Sequence, residues 1–105
     1  REQIGFDIVH GNTVTCPGFY APQGRVLRMP LRFPKLLEEF NYYHKGEFWL
    51  SNMEMETSAY YAMARLFGHE ALSVNAIIGN RIKNKFSKNP TKVVESLIKK
   101  VLDRI

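Results

Sequence analysis

Along this chain the spacing of apolar residues switches between a period of two and a period near 3.6. Residues 8–15 are rich in Ile, Val and Thr and predict a strand. Pro17, Gly18, Pro22 and Gly24 punctuate the next stretch and predict a loop over 17–25. Residues 34–40 predict one short helix with proline near its start, and residues 45–50 a short strand. Residues 57–68 read as a helix opened by Thr57 and Ser58 and closed by Gly68 in the position after the last turn. Ala59, Met63, Leu66 and Phe67 fall at helical spacing there and predict a core-facing stripe. Residues 71–79 are strongly apolar and predict a buried strand. After Asn89-Pro90-Thr91, residues 92–104 predict a last helix with Val93, Val94, Leu97, Ile98, Val101 and Leu102 on its apolar face. This alternation predicts an α/β fold with helices packed on a mainly parallel or mixed sheet. No repeat, low-complexity tract or domain boundary is evident.

The stretch Asn52-Met53-Glu54-Met55-Glu56-Thr57 lies where the strand pattern gives way to the helix pattern. In an extended segment residues i and i+2 point to the same side, so Glu54 and Glu56 could present two acceptors to one ligand. The plainer reading is an acidic cluster that complements the positive end of the helix dipole.

Composition narrows the setting. A length of 105 residues with 45% apolar content fits one small domain with a real core and argues against disorder. No apolar run approaches the roughly 18 residues that a membrane span requires, and no signal peptide opens the chain. Cys16 is the single cysteine, so neither an intramolecular disulfide nor a cysteine-rich zinc site can form, which suggests a reducing, cytoplasmic setting. His10, His44 and His69 show no metal-ligand spacing, and no metal is expected. The net charge of +5 would permit an anionic ligand or nucleic acid. The lysines at 83, 85, 88, 92, 99 and 100 read as a solvated surface, because no aromatics interleave them as single-strand binding requires. Tyr60 and Tyr61 read as packing residues. The first residue is Arg1 rather than methionine, which predicts a processed or truncated chain, or part of a longer one.

A second constellation lies in the loop Phe19-Tyr20-Ala21-Pro22-Gln23-Gly24-Arg25. A primary amide offers one acceptor and two donors, which complements an imide such as uracil. A guanidinium two residues on can stabilise negative charge on the base oxygens, and Phe19 could pack against a flat base. An ordinary surface turn with a solvated arginine is the other reading.

Taken together, the Phe19–Arg25 loop, Asn52-Met53-Glu54-Met55-Glu56 and Ile77-Ile78-Gly79-Asn80-Arg81 resemble, in that order, the nucleoside phosphorylase family. The glutamine-x-arginine pair is similar to the base-recognition motif of its uridine-cleaving members. The resemblance runs from about Phe6 to the end and covers only the family's C-terminal part; the family's phosphate-binding glycine and arginine residues lie upstream of everything present.

The resemblance implies a phosphorylase/hydrolase-like α/β fold, a three-layer sandwich with a central mixed sheet flanked by helices. It implies reversible phosphorolysis of uridine to uracil and ribose 1-phosphate, with phosphate as co-substrate, no further cofactor, and a hexamer of paired subunits. Gln23 and Arg25 would bond the uracil, with Phe19 packing nearby, Arg81 reaching the base edge, and Ile77 and Ile78 supplying apolar wall. Glu56 would accept from the ribose hydroxyls, Met55 would line the sugar, and Glu54 would contact or support it. Bond breaking at C1′ runs ahead of phosphate attack, so Arg25 meets charge growing on the base and Glu56 holds a cationic sugar; these two carry the catalytic expectation.

Three departures qualify the resemblance. Purine-cleaving relatives carry an aspartate after the last core strand, where Gly79-Asn80-Arg81 has no carboxylate. Gly79 stands where uridine-cleaving members often have a larger apolar residue, and Met53 replaces a common aromatic. The other readings are a nucleoside-binding member without turnover, a phosphorylase of purine or other nucleosides, and a basic nucleic-acid-binding domain.

Overall fold

The computed structural model describes residues 8–105; Phe6, where the resemblance begins, lies outside them. The architecture is mixed α/β, with a mixed sheet and helices, in two compact units. The first unit is Gly11–Ser73; the second gathers Val74–Ile105 with residues 8–10.

In the first unit β1 (Asn12–Thr15) lies parallel to β3 (Phe48–Glu54), and β2 (His44–Lys45) pairs antiparallel with the other edge of β3, giving the order β1-β3-β2. The register sets Thr13 beside Asn52, Val14 beside Met53 and Thr15 beside Glu54. Since side chains alternate across a sheet, Thr13, Thr15, Asn52 and Glu54 share one face, and Val14 and Met53 the other. The register shifts between Asn12 and Thr13, leaving Ser51 as the extra residue of a bulge. The Ser51 hydroxyl donates to the Asn12 carbonyl at 3.0 Å. A Cβ on Gly11 would collide with the Ser51 side chain, so the close approach needs glycine there. The strand expected over 8–15 is thus confined to the four residues that β3 pairs.

Helix α1 (Leu36–Tyr42) begins two residues later than expected, beyond the turn that follows Pro34. The strand expected over 45–50 is two strands joined at Gly46, whose φ of +60° is the left-handed conformation a tight hairpin requires. Helix α2 (Thr57–Leu66) starts at the predicted residue, and Gly68 takes φ +71° just past its end. Its expected core stripe is not covered: Ala59, Met63, Leu66 and Phe67 are exposed among the described residues.

In the second unit β4 (Gly79–Asn80) and β5 (Lys85–Phe86) form a small antiparallel hairpin. Its turn passes through Asn84 at φ +49° and is tied by the Asn80 side chain, which accepts from Lys83 N at 2.9 Å. A Cβ on Gly79 would come 2.8 Å from the Phe86 ring. Only Gly79 of the apolar run 71–79 is in a strand. Residues 71–78 pair with no strand among the described residues, and an apolar run makes a strand only where a neighbour receives its hydrogen bonds. Helix α3 (Pro90–Leu102) begins two residues earlier than expected because Asn89 caps it, accepting from Lys92 N at 3.0 Å, with Pro90 at its first position.

Among the described residues Cys16 is the one buried apolar side chain, and most large apolar side chains are exposed.

Candidate functional site

Two constellations in the first unit hold most of the expected site residues. The first is the loop after β1. Its 3₁₀ turn (Ala21–Gln23) ends at Gly24, in the left-handed conformation, and Gly24 N donates to Ala21 O at 3.0 Å. The carbonyl of Tyr20 accepts from Gln23 N at 3.1 Å and from Arg25 N at 2.9 Å. This tight turn folds Arg25 back over the loop. Its Nη1 donates to the Phe19 carbonyl and to Gln23 Oε1, both at 2.6 Å, and its guanidinium lies 3.9 Å from the Phe19 ring centroid. Tyr20 meets the same ring edge-on, at 5.3 Å and 87°. Phe19, Gln23 and Arg25 therefore form one preassembled group. Gln23 is buried, Arg25 is half-buried, and the Phe19 ring remains 53% exposed. The arrangement offers a fixed cation and an oriented amide beside an accessible aromatic face.

The second constellation is the junction of β3 with α2. The first N–H groups of a helix have no partner within it. Here Thr57 N donates to Glu54 Oε2 at 2.6 Å, Ser58 N to Thr15 Oγ1 at 3.0 Å, and Ala59 N to Glu56 O at 3.1 Å. Glu56 N also donates to Glu54 Oε2, at 2.6 Å, and Thr15 Oγ1 donates to Glu54 Oε1 at 2.6 Å. Glu54 is thus an anionic cap on α2, and the plainer reading of the acidic pair describes it well. Burial works to raise its pKa, but the bonds from Thr15 and from the amides of Glu56 and Thr57 outweigh it and hold the carboxyl below the usual glutamate range.

Glu56 departs from the expected geometry. The strand ends at Glu54, and Glu56 turns to φ −131°, ψ −27° as the residue flanking α2. The rule that i and i+2 share a side therefore does not carry from Glu54 to Glu56. Its side chain makes no capping bond and is exposed, as is that of Met55, so the two carboxylates are divided between the protein and solvent.

Cys16 sits beside this junction, its N–H donating to Glu54 O at 2.8 Å. Burial, and then the Glu54 charge, push its thiol pKa up, which leaves it protonated and a poor nucleophile. Thr57 is buried and shares a 2.9 Å hydroxyl contact with Ser73, whose N–H donates to the Tyr61 hydroxyl at 2.9 Å, giving Tyr61 a structural duty. Ile78 and Arg81 belong to the second unit: the Ile78 carbonyl accepts from Ser87 N at 2.8 Å, and Arg81, half-buried, opens the β4–β5 turn. No group of three His, Cys, Asp or Glu side chains among the described residues is placed to hold a metal ion. No described helix is long and apolar enough to cross a membrane.

A family model described as the phosphorylase superfamily matches residues 1–105. The chain belongs to the phosphorylase superfamily. No curated protein and no solved structure matches it. Membership in the phosphorylase superfamily supports a nucleoside phosphorylase kind of enzyme, a pentosyltransferase acting on a nucleoside and phosphate.

In this superfamily member the contacts of Thr15 with Glu54 and Ser58 were not legible from local sequence. The signal it did carry is shared polarity at two-residue spacing, Thr13 and Thr15 in one strand against Asn52 and Glu54 in the other. Only the parallel register turns that into contacts.

Proposed function

We propose that this chain is the base- and ribose-binding part of a uridine phosphorylase-like enzyme. The observation that carries the reading is the Phe19–Gln23–Arg25 group, with the Arg25 guanidinium held by Gln23 Oε1 and the Phe19 carbonyl over an accessible ring. In the reaction the N1–C1′ bond breaks with its electron pair going to the base, and a phosphate oxygen bonds to C1′, giving ribose 1-phosphate. Arg25 is a cation beside the place where that charge would develop, so it stabilises the transition state more than the ground state. Gln23 pairs with the imide edge and Phe19 packs on the base. Glu56 accepts from the ribose hydroxyls with Met55 against the sugar, and Glu54 supports Glu56 from behind. Phosphate is the co-substrate, bound by residues upstream of these, and no cofactor or metal takes part. The enzyme works in pyrimidine nucleoside catabolism and salvage in the cytoplasm, as a hexamer of paired subunits.

The absence of a carboxylate in Gly79-Asn80-Arg81 supports pyrimidine over purine cleavage, because a departing purine needs a ring nitrogen protonated. The test is a steady-state comparison of uridine, thymidine and inosine with phosphate, on the full-length enzyme. Uridine cleavage without inosine cleavage is the expected result; a preference for inosine overturns the assignment of this loop to uracil. Binding of uridine with no phosphate-dependent release of uracil would mark a binding protein instead.

A further inference from the structure

We propose that Thr15 is a positioning residue for Glu56, acting through Glu54 and the first turn of α2. The proposal rests on the reading of Glu56 as the ribose acceptor and adds what aims it.

One hydroxyl does two things here. It donates its single proton to Glu54 Oε1 at 2.6 Å and accepts from Ser58 N at 3.0 Å. Chemistry fixes both directions, since an ionised carboxylate only accepts and an amide N–H only donates. The other Glu54 oxygen then takes the N–H groups of Glu56 and Thr57, each at 2.6 Å. Beyond Glu56 the helix closes on its carbonyl, which accepts from Ala59 N at 3.1 Å and Tyr60 N at 3.3 Å. The backbone of Glu56 is therefore pinned on both sides, from the N–H by Glu54 and from the C=O by α2. Thr15 braces both pins, one through Glu54 and one through Ser58. It does so from β1, which the parallel register and the bond from Cys16 N to Glu54 O (2.8 Å) tie to β3.

The exposed Glu56 side chain makes no capping bond, so its aim depends on the placement of its own Cα. A ligand-binding carboxylate held only through its backbone is sensitive to small losses of support. Thr15→Val keeps the β-branched shape and removes both bonds. Thr15→Ser keeps the hydroxyl.

The readout is the ratio of kcat/KM for uridine to that for 2′-deoxyuridine in the full-length enzyme. Each ratio comes from one preparation, so any unfolded fraction cancels. Glu56→Gln is expected to lower the ratio if Glu56 meets the 2′-hydroxyl. Thr15→Val should lower it too, by about threefold to tenfold, the value of one or two hydrogen bonds. Thr15→Ser should return it to within about twofold of the parent. In the Glu56→Gln background Thr15→Val should move it no further, as residues acting in one chain are not additive. If Thr15→Val gives no active protein, Thr15→Ala reads the same ratio.

A ratio shifted by Glu56→Gln but untouched by Thr15→Val overturns the Thr15 proposal alone, even if both substrates slow equally, since equal slowing is what a purely structural residue would produce. Failure of Thr15→Ser to restore the ratio, or an added shift in the double variant, overturns it as well. A ratio unmoved by Glu56→Gln removes the ribose reading of Glu56, and the Thr15 proposal with it.

Discussion

At the scale of single residues, the two carboxylates of Glu54-Met55-Glu56 have opposite surroundings, and their expected behaviour divides accordingly. Against the opposing effect of burial, bonds to Glu54 from Thr15, Glu56 and Thr57 favour its charged form, so its folded-state pKa lies below the unfolded value near 4.3. Its contribution to stability is therefore full above that unfolded value and is lost as pH falls through the lower folded one. Thermal melts of the enzyme and of Glu54→Gln should differ at pH 7 and converge as the pH drops below about 4; a constant gap down to pH 3 would contradict the anionic cap. Glu56 carries the reverse expectation, little effect on stability and a large one on catalysis. Glu56→Gln should lower uridine kcat/KM by about 10- to 100-fold, the worth of a charge-assisted hydrogen bond. 2′-Deoxyuridine should lose less, and equal losses would tell against a direct 2′-hydroxyl contact. Arg25→Ala should lower kcat more than it raises KM, because charge on the base grows only as the glycosidic bond opens. Gln23→Ala should weaken uridine binding and relax base selectivity; an unchanged uridine kcat in Arg25→Ala would remove this loop from the chemistry.

At the scale of elements, helix ends largely follow local signals, whereas strand pairings do not. Asn89-Pro90 starts α3 and Gly68 follows α2 by chemistry local to each, so these ends lie within two residues of expectation, whereas the start of α2 is capped from outside it by Glu54 and Thr15. Removing such a signal has a definite expected cost. Asn89→Ala should destabilise by about 0.5–2 kcal/mol in chemical denaturation, since the bond from Lys92 N is lost. An unchanged midpoint would mean that the cap contributes nothing net. The exposed Lys99–Asp103 pair, 2.8 Å apart, should matter far less when either partner is replaced. The strand expected over 71–79 fails for the complementary reason: an apolar run names neither the neighbour that receives its hydrogen bonds nor the layer that covers it, and Leu72, Ile77 and Ile78 are exposed. The grouping of Gln23 with Arg25 was legible because they lie two residues apart on one tight turn. The tie from Thr15 to Glu54 spans thirty-nine residues and exists only through the β1–β3 register, which no local pattern specifies.

At the scale of the molecule, charge and apolar surface point to different partners. The net charge of +5 suits a phosphate-bearing substrate as well as nucleic acid, and charge alone does not separate the two. The apolar surface is more telling. Val26, Leu27, Met29 and Phe33 are exposed in one short stretch, and Met63 and Leu66 on α2 are exposed together with Phe67 just past its end. So many exposed large apolar side chains are what a face covered by other protein leaves when that protein is absent. Both features accord with the proposal that these residues are the C-terminal part of a larger phosphorylase domain, which would cover those faces and supply the phosphate ligands. In the proposed reading Arg25 serves the base and Glu56 the ribose, and the phosphate ligands come from elsewhere in the domain. Phosphorolysis needs the third substrate group held in line with C1′, because positioning supplies much of the rate. Purified residues 1–105, given uridine and phosphate, should therefore release no uracil, whereas the full-length enzyme should release it readily. Chromatographic detection of free uracil decides the matter. Release by residues 1–105 at a rate near that of the longer protein would show that the phosphate ligands lie within this chain, and the division of the site between two parts of the domain would have to be abandoned.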